Sequence, residues 1–314
     1  MRWQCRTLLL MAGVAAVPAA AAIQDNDPGD AIVVTGQTIR KAREESAAYV
    51  RELGVVRGEE QAARWLTPIC PKVVGVGEPH AANATRQIRD LIREIRAPLA
   101  PDTCKANLVV AITSDPKAFM ETVARKGRDK LAITPQRSGR DFLLGDAPAR
   151  WWYDTSIKSR DNIASQSDLG PQVVAATDEK APGGASAAVV PGATDTVGTH
   201  QYSASLIRTP TVRAISAATI VVDFQYARAY GLRAVIDHAA LVGLAEIRPE
   251  AVPDNSILSL YTLDNARREL TGRDFSFLAG LYRIPMDREA NLQRTALVNQ
   301  MTGSNRQAAP QRED

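Results

Sequence analysis

Thr219-Ile220-Val221-Val222 and, after a short gap, Gly231-Leu232-Arg233-Ala234-Val235-Ile236-Asp237-His238-Ala239-Ala240-Leu241-Val242-Gly243-Leu244 decide how this chain folds. The first run is β-branched and sits inside residues 214–224, which read as a strand. The second is a helix that is apolar on most of its faces, and such a helix belongs in a core rather than on a surface. A strand feeding a buried helix calls for helices layered on a sheet. Elements on either side mix strands and helices without strict alternation, so the expected class is α+β.

Upstream, Pro79 opens a helix in which Ala84, Ile88, Leu91, Ile92 and Ile95 recur at helical spacing, and Pro98 ends it. Residues 107–113 read as a strand. Asp115-Pro116 then supplies a cap and a first-position proline for a helix carrying Phe119 and Val123. Residues 38–53 have a helical composition stopped by Gly54, and residues 31–35 before them read as a short strand ended by Gly36. Downstream, Thr271 and Asp274 form a capping pair for a helix with Phe275, Leu278 and Leu281. A last helix is expected from Asp287 to near Met301. Between positions 181 and 199, 15 of 19 residues are Ala, Gly, Pro, Ser or Thr, which reads as a flexible insertion. The expected organisation is a signal peptide at 1–22, an α+β region at 23–160, an insertion at 161–202, a second α+β region at 203–301 and a disordered tail at 302–314.

The first 22 residues carry Arg2 and Arg6, an apolar run over residues 7–17, and Ala20-Ala21-Ala22 as the small residues of a cleavage site. The apolar run is shorter than the roughly 20 residues a membrane span takes, so export is expected, to the periplasm or outside, with no transmembrane segment left after cleavage. Removal of this leader leaves 36 basic and 35 acidic residues, and a balance so even gives no case for nucleic acid. It also leaves Cys70 and Cys104, a natural disulfide pair in an oxidising compartment. With three His and three Cys in the whole chain, no metal site and no cofactor is expected.

The candidate chemistry is sparse. Gly75-x-Gly77 begins a dinucleotide fingerprint, but His80 stands where its third glycine belongs, and a strand-to-helix turn is the preferred reading. Arg86, Arg89, Arg93 and Arg96 share a side of the long helix, interleaved with Asp90 and Glu94, as a solvated face with an Arg86–Asp90 pair. Trp151 and Tyr153 should point to one side of a strand and Trp152 to the other. Ser186 lies in the insertion and lacks the glycine pattern of a nucleophile elbow. Asp237 and His238 are the catalytic candidates. Successive helical residues diverge by about 100°, so Asp237 is expected to pair with Arg233, one turn earlier, rather than with His238.

Two segments carry resemblances. Asp30-Ala31-Ile32-Val33-Val34-Thr35-Gly36 resembles the TonB box of outer-membrane receptors, which implies strand addition to a TonB-system partner through Ile32, Val33, Val34 and Thr35. Leu241-Val242-Gly243-Leu244, Asp254-Asn255-Ser256-Ile257-Leu258 and Leu270-Thr271-Gly272-Arg273-Asp274 together resemble the C-terminal part of secreted zincin-like proteins, whose metal helix reads H-E-x-x-H-x-x-G. Aligned on Gly243, the two ligand positions hold Ile236 and Ala240, the base position holds Asp237, and Glu246 stands where a third ligand would follow. The resemblance therefore implies a zincin-like C-terminal half without its zinc site. Arg64-Trp65-Leu66-Thr67-Pro68-Ile69-Cys70-Pro71 with Asn107-Leu108-Val109-Val110 resembles a set of uncharacterised secreted alphaproteobacterial proteins, which implies compartment and fold but no activity. The expected function is non-catalytic binding or scaffolding of an envelope protein or ligand. A divergent hydrolase using Asp237 with His238, or a zinc site assembled from His80, His200 and His238, is the enzyme alternative.

Overall fold

The computed structural model describes residues 28–126, 142–160, 173–175, 187–189, 208–263 and 266–308. The described residues from Arg40 onward form one compact unit. Its centre is a five-stranded sheet built around one long strand. Strands β1 (Arg64–Trp65), β2 (Pro71–Val74), β3 (Leu108–Thr113), β4 (Ala149–Ser159) and β7 (Thr211–Asp223) belong to it. One edge of β7 pairs in parallel with β1 at its start (Arg64 opposite Ala214) and with β3 at its end (Leu108 opposite Ala218, Thr113 opposite Asp223). The other edge pairs antiparallel with β4, with a register shift between Asp154 and Thr155. Strand β2 extends the sheet beyond β3, also in parallel. The regions expected at 23–160 and 203–301 thus share one sheet, because β7 lies between β3 and β4. Helices on a mostly parallel sheet agree with the α+β reading.

Strand β2, helix α2 (Glu78–Glu94) and β3 make a crossover unit. Its first turn depends on Gly75, which has φ +90° and sits so close to β3 that a Cβ would lie 1.8 Å from the Ile112 carbonyl oxygen. Only glycine fits there, so the Gly75-x-Gly77 pair is a strand-to-helix turn, as read. Helix α2 buries Ala84, Ile88, Leu91 and Ile92 along one stripe. Helix α3 (Pro116–Lys126) starts at the cap formed by Asp115, whose carboxylate accepts from the Ala118 N–H at 2.8 Å.

Beyond β7, helix α4 (Phe224–Tyr230) is capped by Asp223, and Gly231, at φ +87°, turns the chain into helix α5 (Leu232–Leu244). Every residue of α5 from Ala234 to Leu244 is buried. The sheet face that carries Leu108, Val110, Ile112, Ala218, Ile220, Val222 and Trp151 belongs to the same core as α2 and α5. A smaller cluster of Met120, Leu143 and Val221, with Trp152 against it, covers the opposite face. The Trp151/Trp152 alternation is therefore as read. After α5 come a 3-10 turn (Ile257–Tyr261), helix α6 (Gly272–Leu281) and helix α7 (Ala290–Ala308). Thr271 and Asp274 close a full capping box at α6.

Two expectations are corrected. Residues 31–35 are not a strand: helix α1 (Pro28–Leu53) runs through them without a break. A strand needs a neighbour to pair its backbone, whereas a helix satisfies each residue within its own segment, and the helical sequence that follows extends backwards. Helix α7 starts later than Asp287 and runs past Met301, into the expected tail. Within the expected insertion, Val173–Ala175 and Ala187–Val189 pair as a short antiparallel ladder, β5 with β6.

Candidate functional site

Asp237 and His238 are adjacent on α5 and both buried, at 8% and 2% exposure. They do not meet; each is engaged by different elements. The Asp237 carboxylate accepts from Gln87 Nε2 on α2 at 2.6 Å and from the Leu270 backbone N–H. The same Gln87 amide donates to the Arg233 carbonyl at 3.0 Å. Burial raises the Asp237 carboxyl above its ordinary value, and the two hydrogen bonds oppose that rise more than the charge on Arg233 does. The expected Arg233–Asp237 pair is thus corrected: an amide reaching across from α2 holds this carboxylate. Gln87 lies on the flank of α2 that faces α5, so it reaches the carboxylate directly, while Arg233 is exposed.

His238 sits among rings. Its centroid lies 5.8 Å from that of Trp151 on β4 and 4.9 Å from that of Tyr261 in the 3-10 turn, both edge-on. Tyr261 in turn contacts Tyr226 and Tyr230 of α4, at 5.7 and 5.5 Å. The guanidinium of Arg268 lies over the Tyr230 ring at 5.8 Å. His238 Nδ1 and the Tyr261 hydroxyl are both buried without a hydrogen-bond partner. Burial pulls the imidazole down to about 4, which keeps it neutral near pH 7. A neutral, enclosed imidazole with a carboxylate turned onto another helix lacks the geometry of an acid–base dyad.

The positions aligned with a metal helix are core positions. Ile236 and Ala240 are fully enclosed, at 0% and 1%. Gly243 lets α5 lie against the sheet: a Cβ there would come 2.6 Å from Leu108 Cδ1 and 3.2 Å from Ile220 Cδ1. Glu246 is ion-paired with Arg213 of β7 at 2.9 Å. The end of α5 also receives three ring donors. Tyr153 OH donates to the Val242 carbonyl (2.7 Å), Trp65 Nε1 to Gly243 (2.9 Å) and Tyr282 OH to Leu244 (2.8 Å). The last carbonyls of a helix have no partner within it, so these aromatics fix the buried end of α5 to the sheet and to α6.

Cys70 and Cys104 are joined as a disulfide with Cα atoms 5.9 Å apart. Beside it, the Cys70 N–H donates to Asn107 Oδ1 at 2.7 Å and Asn107 Nδ2 donates to the Pro68 carbonyl at 3.0 Å. The bond thereby ties the entrances of β2 and β3 together. On α2, Arg93 pairs with Asp90 at 2.5 Å in place of the expected Arg86 pair, and Arg89 reaches Asp102 at 2.8 Å and the Ala100 carbonyl at 2.7 Å. Both spacings are open to such a pair, since i,i+3 and i,i+4 neighbours are about equally near on a helix. His80 is exposed on α2, whereas His238 is enclosed. His200 and Ser186 lie outside the described residues. Ile32, Val33, Val34 and Thr35 lie within helix α1, so they are not held in the extended form that strand addition uses.

The most elaborate polar site was not anticipated. Asp274, fully buried, accepts from Tyr49 OH on α1 at 2.5 Å, Ser256 Oγ at 2.6 Å, the Ile257 N–H at 3.0 Å and the Thr271 N–H at 2.9 Å. Burial and the adjacent carboxylate push the Tyr49 hydroxyl far above its ordinary value, so it stays a donor. The capping pattern gave Asp274 a local role, but nothing local to Tyr49 or Ser256 signals that they converge on it from sites 225 and 18 residues away. No protein-family profile, curated protein or solved structure matches this chain.

Proposed function

We propose that this chain is an exported cell-envelope protein, periplasmic or secreted, that binds or scaffolds an envelope partner and performs no catalysis at Asp237 and His238. The observation that carries the reading is the separate engagement of these two side chains, the carboxylate by Gln87 and the imidazole by Trp151 and Tyr261. A general acid–base pair has to reach a common substrate atom. The disulfide supports the compartment, because such bonds persist in oxidising environments. Ile236 and Ala240, apolar and in the core at the aligned ligand positions, support the absence of a zinc site from the C-terminal half, which we read as zincin-like from its sequence resemblance.

The test is to express the chain with its leader, fractionate the cells and measure the metal content of protein purified without chelators by elemental mass spectrometry. The expected result is a periplasmic or secreted chain, shortened by about 22 residues as a leader of this pattern implies, with no stoichiometric metal. About one zinc per chain, or peptidase activity abolished by Asp237→Ala in a folded protein, overturns the proposal.

A further inference from the structure

We propose that His238 is an acid-sensitive latch: in its neutral form it holds the Tyr261 end of the 3-10 turn against helix α5, and its protonation releases that end and uncovers the aromatic cluster beneath. The two ends of the turn are held differently. At the start, Ser256 Oγ and the Ile257 N–H are both bonded to the buried carboxylate of Asp274. At the far end, the Tyr261 hydroxyl has no partner, and the ring is held by contacts with His238, Tyr226 and Tyr230. The following backbone N–H groups, of Thr262 and Leu263, turn back to the Ser259 carbonyl within the same segment, at 3.0 and 3.2 Å. Thr262 and Leu263 are exposed. The turn is thus anchored by the carboxylate at its start, Leu260 is buried in the core, and beyond it the Tyr261 side chain is held by rings alone.

A proton on His238 adds a charge where little can neutralise it. From β4 it faces Trp151, and from the turn it faces Tyr261, with Tyr226 and Tyr230 of α4 behind. Arg268, already over Tyr230, adds a second positive charge at the outer side. On α5 itself, Asp237 is directed to Gln87 and the Leu270 N–H, with Arg233 and Glu269 around it. Nδ1 already lacks a partner, and an imidazolium would carry a proton on that atom with no acceptor to receive it. Swinging Tyr261 outward hydrates both groups at once. The closed imidazole titrates near 4, and an opened one returns to the ordinary value of 6.5. Acidification from pH 7 to 5 then favours the open form roughly twentyfold.

Amide hydrogen exchange read by mass spectrometry tests this, with rates corrected for the intrinsic effect of pH and peptides of α2 as the internal reference. The expected result is an acceleration of roughly twentyfold at pH 5 over pH 7 at the Thr262 and Leu263 amides, resolved by overlapping peptides across 257–263, with the anchored Ile257 amide and α2 unchanged, and loss of that acceleration in His238→Phe. Equal acceleration in wild type and His238→Phe, or less than about threefold in wild type, overturns the latch. NMR titration of the imidazole in the wild-type chain makes the test independent of whether the variant folds. A His238 signal titrating below pH 5 supports the proposal, whereas one titrating near 6.5 with exchange at 257–263 unchanged overturns it.

Discussion

Asp274 and His238 are enclosed in the same core to nearly the same degree, and they are treated in opposite ways. Asp274 receives four donors from three separate parts of the chain, while His238 receives rings and leaves Nδ1 without a partner. A buried charge lowers stability unless it is fully hydrogen-bonded. Asp274 meets that condition and therefore acts as a joint between α1, the 3-10 turn and α6. His238 meets the burial of a polar group by staying neutral, which ties its local packing to pH. The difference teaches that a polar residue in a core announces chemistry only when its partners and its exposure are known.

The largest effect that can break this comparison comes from Asp274→Ala, which leaves Tyr49 and Ser256 buried without their acceptor. Its expected cost is about 3–5 kcal/mol by chemical denaturation; a loss below about 1 kcal/mol would place the joint elsewhere. Next comes the disulfide, which lies in neither pocket. Cys70→Ser with Cys104→Ser should cost roughly 3–4 kcal/mol in the chain-entropy account, without altering the pH dependence assigned to His238. Denaturation of reduced and oxidised wild type at two pH values checks both parts.

His238 itself supplies a contribution of about 3 kcal/mol with a defined sign. Its folded-state value, about 4, is below the ordinary 6.5, so the unfolded chain takes up the proton first. Stability from this group is therefore full above about pH 6.5, falls as the pH drops, and is lost near pH 4. Unfolding curves at pH 7, 5.5 and 4 should show this loss in wild type and lack it in His238→Phe. The smallest effect is the sharpest contrast. Tyr49→Phe removes a hydrogen bond to Asp274 and should cost about 1–2 kcal/mol. Tyr261→Phe removes a buried hydroxyl that bonds nothing and should be neutral or stabilising by up to about 1 kcal/mol. Equal costs for the two substitutions would erase the distinction between the pockets.

Much of the fold is legible in local sequence. The periodic apolar residues of α2, the β-branched run in β7, the apolar length of α5 and the Thr271–Asp274 cap all act within a few residues of themselves. The cysteine pair was legible from the number of cysteines and the expectation of export. Strand order was not, because β7 reaches its neighbours β3 and β4 across stretches of chain that carry no pairing signal. The helical state of residues 32–35 was hidden for the converse reason: β-branched composition favours a strand, yet a strand without a neighbour leaves its backbone unpaired. At the candidate site, the divergence of Asp237 from His238 followed from helix geometry alone. Gln87 as the partner of Asp237, and Tyr261 over His238, came from elements 150 residues before the one and 23 after the other, beyond any local pattern.

The central claim is that Asp237 and His238 are two separate core residues rather than a working pair, and a double-mutant cycle tests it most directly. Stability would be measured for wild type, Asp237→Asn, His238→Phe and the double variant at pH 7. Separate engagement predicts costs that add within about 0.5 kcal/mol. A coupling above about 1 kcal/mol would contradict the account, because it would mean that the carboxylate and the imidazole act on each other.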